Sequence, residues 1–293
     1  MKINDFLRSY EKGLRDFPKI NLQGSYLSQV MLISVNLADS NLIGTNLSRA
    51  FLTKSNLSRV QLNWADLTYA KLNQACLDEA DLTRADLTGA FLVKSSLVGT
   101  RLSGANVSYT NLRGADLRQA NLSGANLLGV NLRDANLQKA NFNWANLQEA
   151  RLSGAILTET SFWETNFSRA LMREVDLQKA NLEGVNLSDA RLVRGQLQGA
   201  NLQEANLQRT NLRNANLTGA NLAGANLTEA NLEGANFTHA ILDDAILQGT
   251  NLNEAIIFEN QANILKKEDY SGKTLSLAEQ MSAMSLFNPG FAM

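Results

Sequence analysis

The chain has 293 residues, 44% of them hydrophobic and 19% charged, and its 27 Lys and Arg nearly cancel its 28 Asp and Glu. A net charge of −1 argues against a whole-molecule polyanion and against a general nucleic-acid binder. One cysteine excludes a disulfide framework and a Cys-cluster metal site, and a single histidine, His239, leaves little material for metal or acid–base chemistry.

The opening segment, MKINDFLRSYEKGLRDF, is charged throughout and lacks the apolar core of a secretory leader. No apolar run approaches the roughly 18 residues of a membrane span, so the expected address is the cytoplasm. Ile3, Phe6, Leu7, Tyr10, Leu14 and Phe17 recur at helical spacing. Residues 1–19 are therefore expected to form an amphipathic capping helix, ended by Gly13 or by the segment before Pro18.

From residue 20 to residue 258 the sequence repeats every five residues without insertion or deletion. Starting at Leu22 and stepping by five to Ile257 gives 48 positions, of which 41 are Leu. The others are Val107, Phe142, Phe162, Phe167, Met172, Phe237 and Ile257. Two residues before each large position stands a small or β-branched residue, Ala in 29 cases. Between the two lies Asn in 25 cases and Asp in five. A period of five fits neither an amphipathic helix nor an alternating strand. Five residues advance an α-helix by about 500°, so they cannot share one face. A coil that turns a corner every five residues can share one, and four corners close a square whose successive copies stack about 4.8 Å apart.

The motif A-(D/N)-L-x-x, seen as Ala80-Asp81-Leu82 and Ala120-Asn121-Leu122, resembles the pentapeptide repeat family. The stretch RSYEKGLRDFPKINL is similar to the entry sequence of many cyanobacterial members. The resemblance implies an all-β solenoid: a right-handed quadrilateral parallel β-helix of about 12 coils, roughly 58 Å long, with short α-helical caps at one or both ends. It also implies action by protein contact, since cyanobacterial members include regulators of cell differentiation.

Residues 259–293 leave the period. Ser276 with Glu279 fits a capping box, Leu277, Met281 and Met284 share a helical face, and Asn288-Pro289-Gly290 stops the helix, which is expected over about 277–287. Two readings stay open: the helix folds back over the last coil, or it forms a homodimer contact.

With four repeats per coil, each residue recurs on its face at i+20. The face centred on Leu32, Leu52 and Leu72 collects Lys54, Lys71, Lys94, Arg113, Arg133, Arg151, Arg173, Arg191, Arg194 and Arg213 against four acids, a net +6. The other three faces carry −4, −2 and −3. Such a ladder of cations repels itself unless a partner compensates, so these ten residues are the expected contact surface for an acidic protein partner. The competing explanation is drift on a permissive surface. A single row of charges is a poor duplex reader, with weak and salt-dependent binding.

Trp64, Trp144 and Trp163 share the face centred on Leu22, where they act either as contact points or as packing between rungs. Cys76 replaces an Asn and is expected to be an ordinary surface thiol. His239 near Asp243 and Asp244 lacks a nucleophile and a water-excluding pocket. No phosphate-binding glycine motif occurs, so no cofactor, metal or enzymatic activity is expected. The alternative function is a topoisomerase-binding DNA mimic. Duplex DNA carries one charge per about 1.7 Å, roughly 34 over the rod, whereas the three acidic faces here sum to −9.

Overall fold

The computed structural model describes residues 2–257; the expectations for the tail, 259–293, fall outside them. Each pentapeptide repeats one local structure. Leu22 C=O accepts from Ser25 N–H at 3.0 Å, closing a turn whose second central residue, Gly24, has φ +64°. The same position is left-handed in all 48 turns from residue 19 to residue 254, and 33 of those residues are not glycine. A left-handed L-residue costs about 1–2 kcal/mol, so the surrounding bonds must hold it.

Those bonds account for all five amides of the repeat. Leu22 N–H donates to Asn41 C=O at 2.8 Å, Gly24 N–H to Ile43 C=O at 2.9 Å, and Asn41 N–H to Ile20 C=O at 2.9 Å, all in the neighbouring coil. Ser25 closes the turn. The fifth amide, Gln23 N–H, donates to the Asn21 side-chain oxygen at 3.0 Å. This is why Asn and Asp dominate the position before the large residue: their side chain caps the one amide that faces no neighbouring backbone.

Every parallel pairing joins residues 20 apart, from Asp16 with Asn36 to Asn236 with Ile256. Four pentapeptides therefore make one coil, and the chain stacks as a square-sided β-helix with single-residue pairings in place of long strands among the described residues. The large and small positions fill one continuous core, with most of its residues 0–2% exposed. Burying each Leu contributes roughly 1.5–3 kcal/mol. Hydroxyls at small positions reach back one coil: Thr45 donates to Leu22 C=O at 3.0 Å and Thr165 to Phe142 C=O at 2.9 Å.

The N-terminus holds the expected helix, ended at Gly13, but the helix does not extend to residue 19. Helix α1 spans only Ile3–Glu11. Gly13, at φ +97°, turns the chain, and Leu14 is exposed rather than packed. Residues 15–19 are already a repeat: Asp16 pairs with Asn36, Phe17 is buried, and Lys19 takes the left-handed turn position. The repeat thus begins one pentapeptide before residue 20, with Phe17 in the place of Leu. Phe6 from α1 is fully buried with its ring edge-on to Phe17 at 4.8 Å, and Tyr10 OH donates to Ile33 C=O at 3.0 Å.

Candidate functional site

The face that carries the ten cations is defined by an unbroken column of pairings, Met31–Phe51–Lys71–Phe91–Asn111–Asn131–Arg151–Leu171–Arg191. The cations fall in three columns. Lys71, Arg151 and Arg191 occupy the paired position itself. Arg113, Arg133, Arg173 and Arg213 occupy the first turn position. Lys54, Lys94 and Arg194 occupy the left-handed position, at φ 61°, 56° and 58°. Lys71 is half-buried and the other nine are exposed.

The ten divide by what they touch. Arg113 pairs with Asp134 at 3.2 Å, and Arg213 with Glu233 at 3.2 Å. Glu174 receives both Arg173 at 3.3 Å and Arg194 at 3.5 Å. Lys71 Nζ sits 3.4 Å from the Phe91 ring centroid, a cation–π contact. Lys54, Lys94, Arg133, Arg151 and Arg191 form no ion pair among the described residues. Lys54 and Arg191 are seven coils apart, about 34 Å at about 4.8 Å per coil. On the other three faces six of the nine cations are paired with acids, Arg59, Arg101, Arg118, Lys139, Arg169 and Arg209. Arg59 and Arg209 each clasp, through two nitrogens, the aspartate one coil back, Asp39 and Asp189, at 2.7–3.0 Å. Those hydrogen bonds hold the Asp39 and Asp189 carboxyls below the usual carboxylate range.

The start of the basic face is apolar. Met31 is 60% exposed, Phe51 39% and Ile33 38%. On the face centred on Leu22, Trp64 and Trp144 hold left-handed turn positions and all three tryptophans are exposed. Arg84 lies over Trp64 at 4.7 Å. Trp144 N–H donates to Trp163 C=O at 2.8 Å, but the rings form no pair among the described residues. Tyr69 and Tyr109 also hold left-handed turn positions, at φ 57° each. The structure lays each across a glycine one coil on: a Cβ on Gly89 or Gly129 would stand 2.6 Å or 2.8 Å from the ring. Cys76 is half-buried, and burial pushes its thiol up, away from a nucleophilic thiolate. Among the described residues no three His, Cys, Asp or Glu side chains are placed to share a metal ion, and no helix is long and apolar enough to cross a membrane.

The profile of the pentapeptide repeats matches the sequence in eight copies between residues 20 and 257. The chain belongs to the pentapeptide repeat family. The quadrilateral β-helix that the family implies is the arrangement that pairings 20 residues apart require. Among solved pentapeptide repeat proteins, the chain is 31% identical to HetL, involved in heterocyst differentiation regulation, from the cyanobacterium Nostoc sp. strain PCC 7120. That match covers 88% of this chain and 97% of HetL, at a TM-score of 0.31. It is 16% identical to QnrB1, a plasmid-mediated fluoroquinolone resistance protein, over 86% of this chain and 98% of that one, at a TM-score of 0.29. It is 24% identical to Rfr23 from the cyanobacterium Cyanothece 51142, over 56% and 91%, at a TM-score of 0.19. No curated protein matches it.

Proposed function

We propose that this pentapeptide repeat protein is a non-enzymatic, cytoplasmic interaction scaffold whose basic face receives an acidic protein partner. The carrying observation is the contrast between faces. Arg59 and Arg209 are clasped by neighbouring aspartates, while Lys54, Lys94, Arg133, Arg151 and Arg191 stand exposed in one lane without an acid. A rod of about twelve coils strings that lane along one face, with α1 closing its first coil. Exposed Met31, Ile33 and Phe51 at the head of the lane supply the apolar contact that charge alone does not, because interface energy concentrates in desolvated apolar anchors. HetL, 31% identical to this chain, is itself involved in heterocyst differentiation regulation.

The alternative, mimicry of DNA toward a topoisomerase, is the weaker reading. No face is continuously acidic, and the five-residue period holds from residue 16 to residue 256 with no inserted loop.

A titration with poly-L-glutamate tests the charge of the lane. The wild type should bind and weaken as salt rises, since exposed charges are screened beyond about 8–10 Å at physiological ionic strength. The variant K94E/R133E/R151E/R191E should lose that binding. Equal binding by both would contradict the proposal.

A further inference from the structure

The ladder between coils has one interruption among the described residues. From residue 154 to residue 164 the amides that the period should pair with the next coil do not pair. Leu157, Glu159, Phe162 and Glu164 on one lip, and Asp176 and Asn181 on the other, find no carbonyl across the gap. The pairings Ile156–Asp176 and Ser161–Asn181 are missing with them. On either side the ladder is intact: Leu152 N–H donates to Leu171 C=O at 2.9 Å, and Phe167 N–H to Asn186 C=O at 2.7 Å. Thr160 and Ala180 are partly exposed, although small-position residues are otherwise buried away from the rod's ends.

The core explains the gap. Phe162 and Phe167 occupy adjacent large positions of one coil, with Phe142 beneath Phe162. The ring centroids lie 6.0 Å apart for Phe142 and Phe162 and 5.2 Å for Phe162 and Phe167. Coils stack about 4.8 Å apart, so two adjacent rings crowd a layer that in other coils holds at most one ring among leucines, and overpacking a filled core displaces backbone. The coil yields on two adjacent faces. The other two keep their pairings, Asn146–Asn166–Asn186 and Arg151–Leu171–Arg191, and the basic face loses only the Gly154 amide's bond at its edge with the gap.

We infer that the rod is hinged here: the stack ending at residue 164 and the stack beginning at residue 175 tilt about the two intact faces. The basic face is one of the two, so tilting curves the lane between Arg151 and Arg191 and lets it follow a partner that is not flat. The inference concerns the fold and stands whether or not the partner is acidic.

Hydrogen exchange tests the gap. The amides of Leu157, Glu159 and Phe162 should exchange at least ~10-fold faster than those of Leu137, Lys139 and Phe142 one coil earlier, and F162L/F167L should slow them. Equal protection in the wild type would overturn the inference, and unchanged exchange in the variant would overturn the assignment to ring volume. Spin-label distances test the tilt. A pair at Gln138 and Thr218, across the gap, should show a broader distribution than a pair at Leu128 and Gln208 on an intact face. Equal widths would overturn the hinge.

Discussion

Asn146 carries two duties at one position: its side-chain oxygen accepts Gln148 N–H at 3.2 Å, and its amide group donates to the Asn126 oxygen at 3.1 Å. Asn146→Ala should therefore cost about 1 kcal/mol in urea unfolding, the usual net worth of such bonds. The frequency of Asn was legible in the sequence, but its reason was not, because the orphan amide exists only once the turn is folded. The glycines divide in the same way. Gly124 has nothing within 4 Å of an added Cβ, whereas Gly129 lies under the Tyr109 ring. Gly124→Ala should cost only the left-handed backbone term, about 1 kcal/mol. Gly129→Ala should cost more, and Tyr109→Ala should restore the difference in a double-mutant cycle. Acid titrates the surface clasps. Asp39 and Asp189 are held low by hydrogen bonds from Arg59 and Arg209, so their contribution is complete above the usual aspartate pKa, about 4, and is lost as pH falls through the depressed folded value. Thermal melts from pH 7 down to pH 2 should show less acid loss in D39N/D189N than in the wild type; parallel curves would remove the clasps from the account.

At the scale of the element, the helix α1 and the first coil form one local unit through Phe6 and Phe17. A solenoid transmits stability only between neighbours. Phe6→Ala, a loss of about 3–5 kcal/mol at a buried site, should therefore raise exchange at Phe17, Leu22 and Leu27 while leaving Leu202 and Leu222 unchanged. A uniform rise along the chain would show that the rod melts as a single unit. The helix itself was legible from apolar spacing. Of its two expected ends the structure takes the one at Gly13; the spacing left the choice open because Leu14 and Phe17 continue it, although Phe17 belongs to the first pentapeptide. That clue was local: Asp16-Phe17-Pro18 already has the repeat's order, an acid before a large residue and a turn after it. The gap at 154–164 was not legible at all, since Phe162 and Phe167 satisfy the repeat one by one and conflict only when they share a layer.

For the whole molecule, the period alone was enough to place the ten cations on one face, and the i+20 pairings put their three columns side by side on it. Sequence could not say which of them were already neutralised. Arg113, Arg173, Arg194 and Arg213 meet acids that lie one residue or about one coil away, a match that needs side-chain reach as well as register. The remaining five make the sharper instrument, because reversing them breaks no internal pair and should leave the fold unchanged by circular dichroism. The decisive measurement is a quantitative pull-down with purified wild type and the K94E/R133E/R151E/R191E variant, with an S123E/T218E control that adds negative charge to two other faces. The account predicts that partners held by the wild type and by the control are lost from the variant, and that added salt releases them. Partners retained equally by all three proteins would contradict it and move attention to the exposed tryptophans.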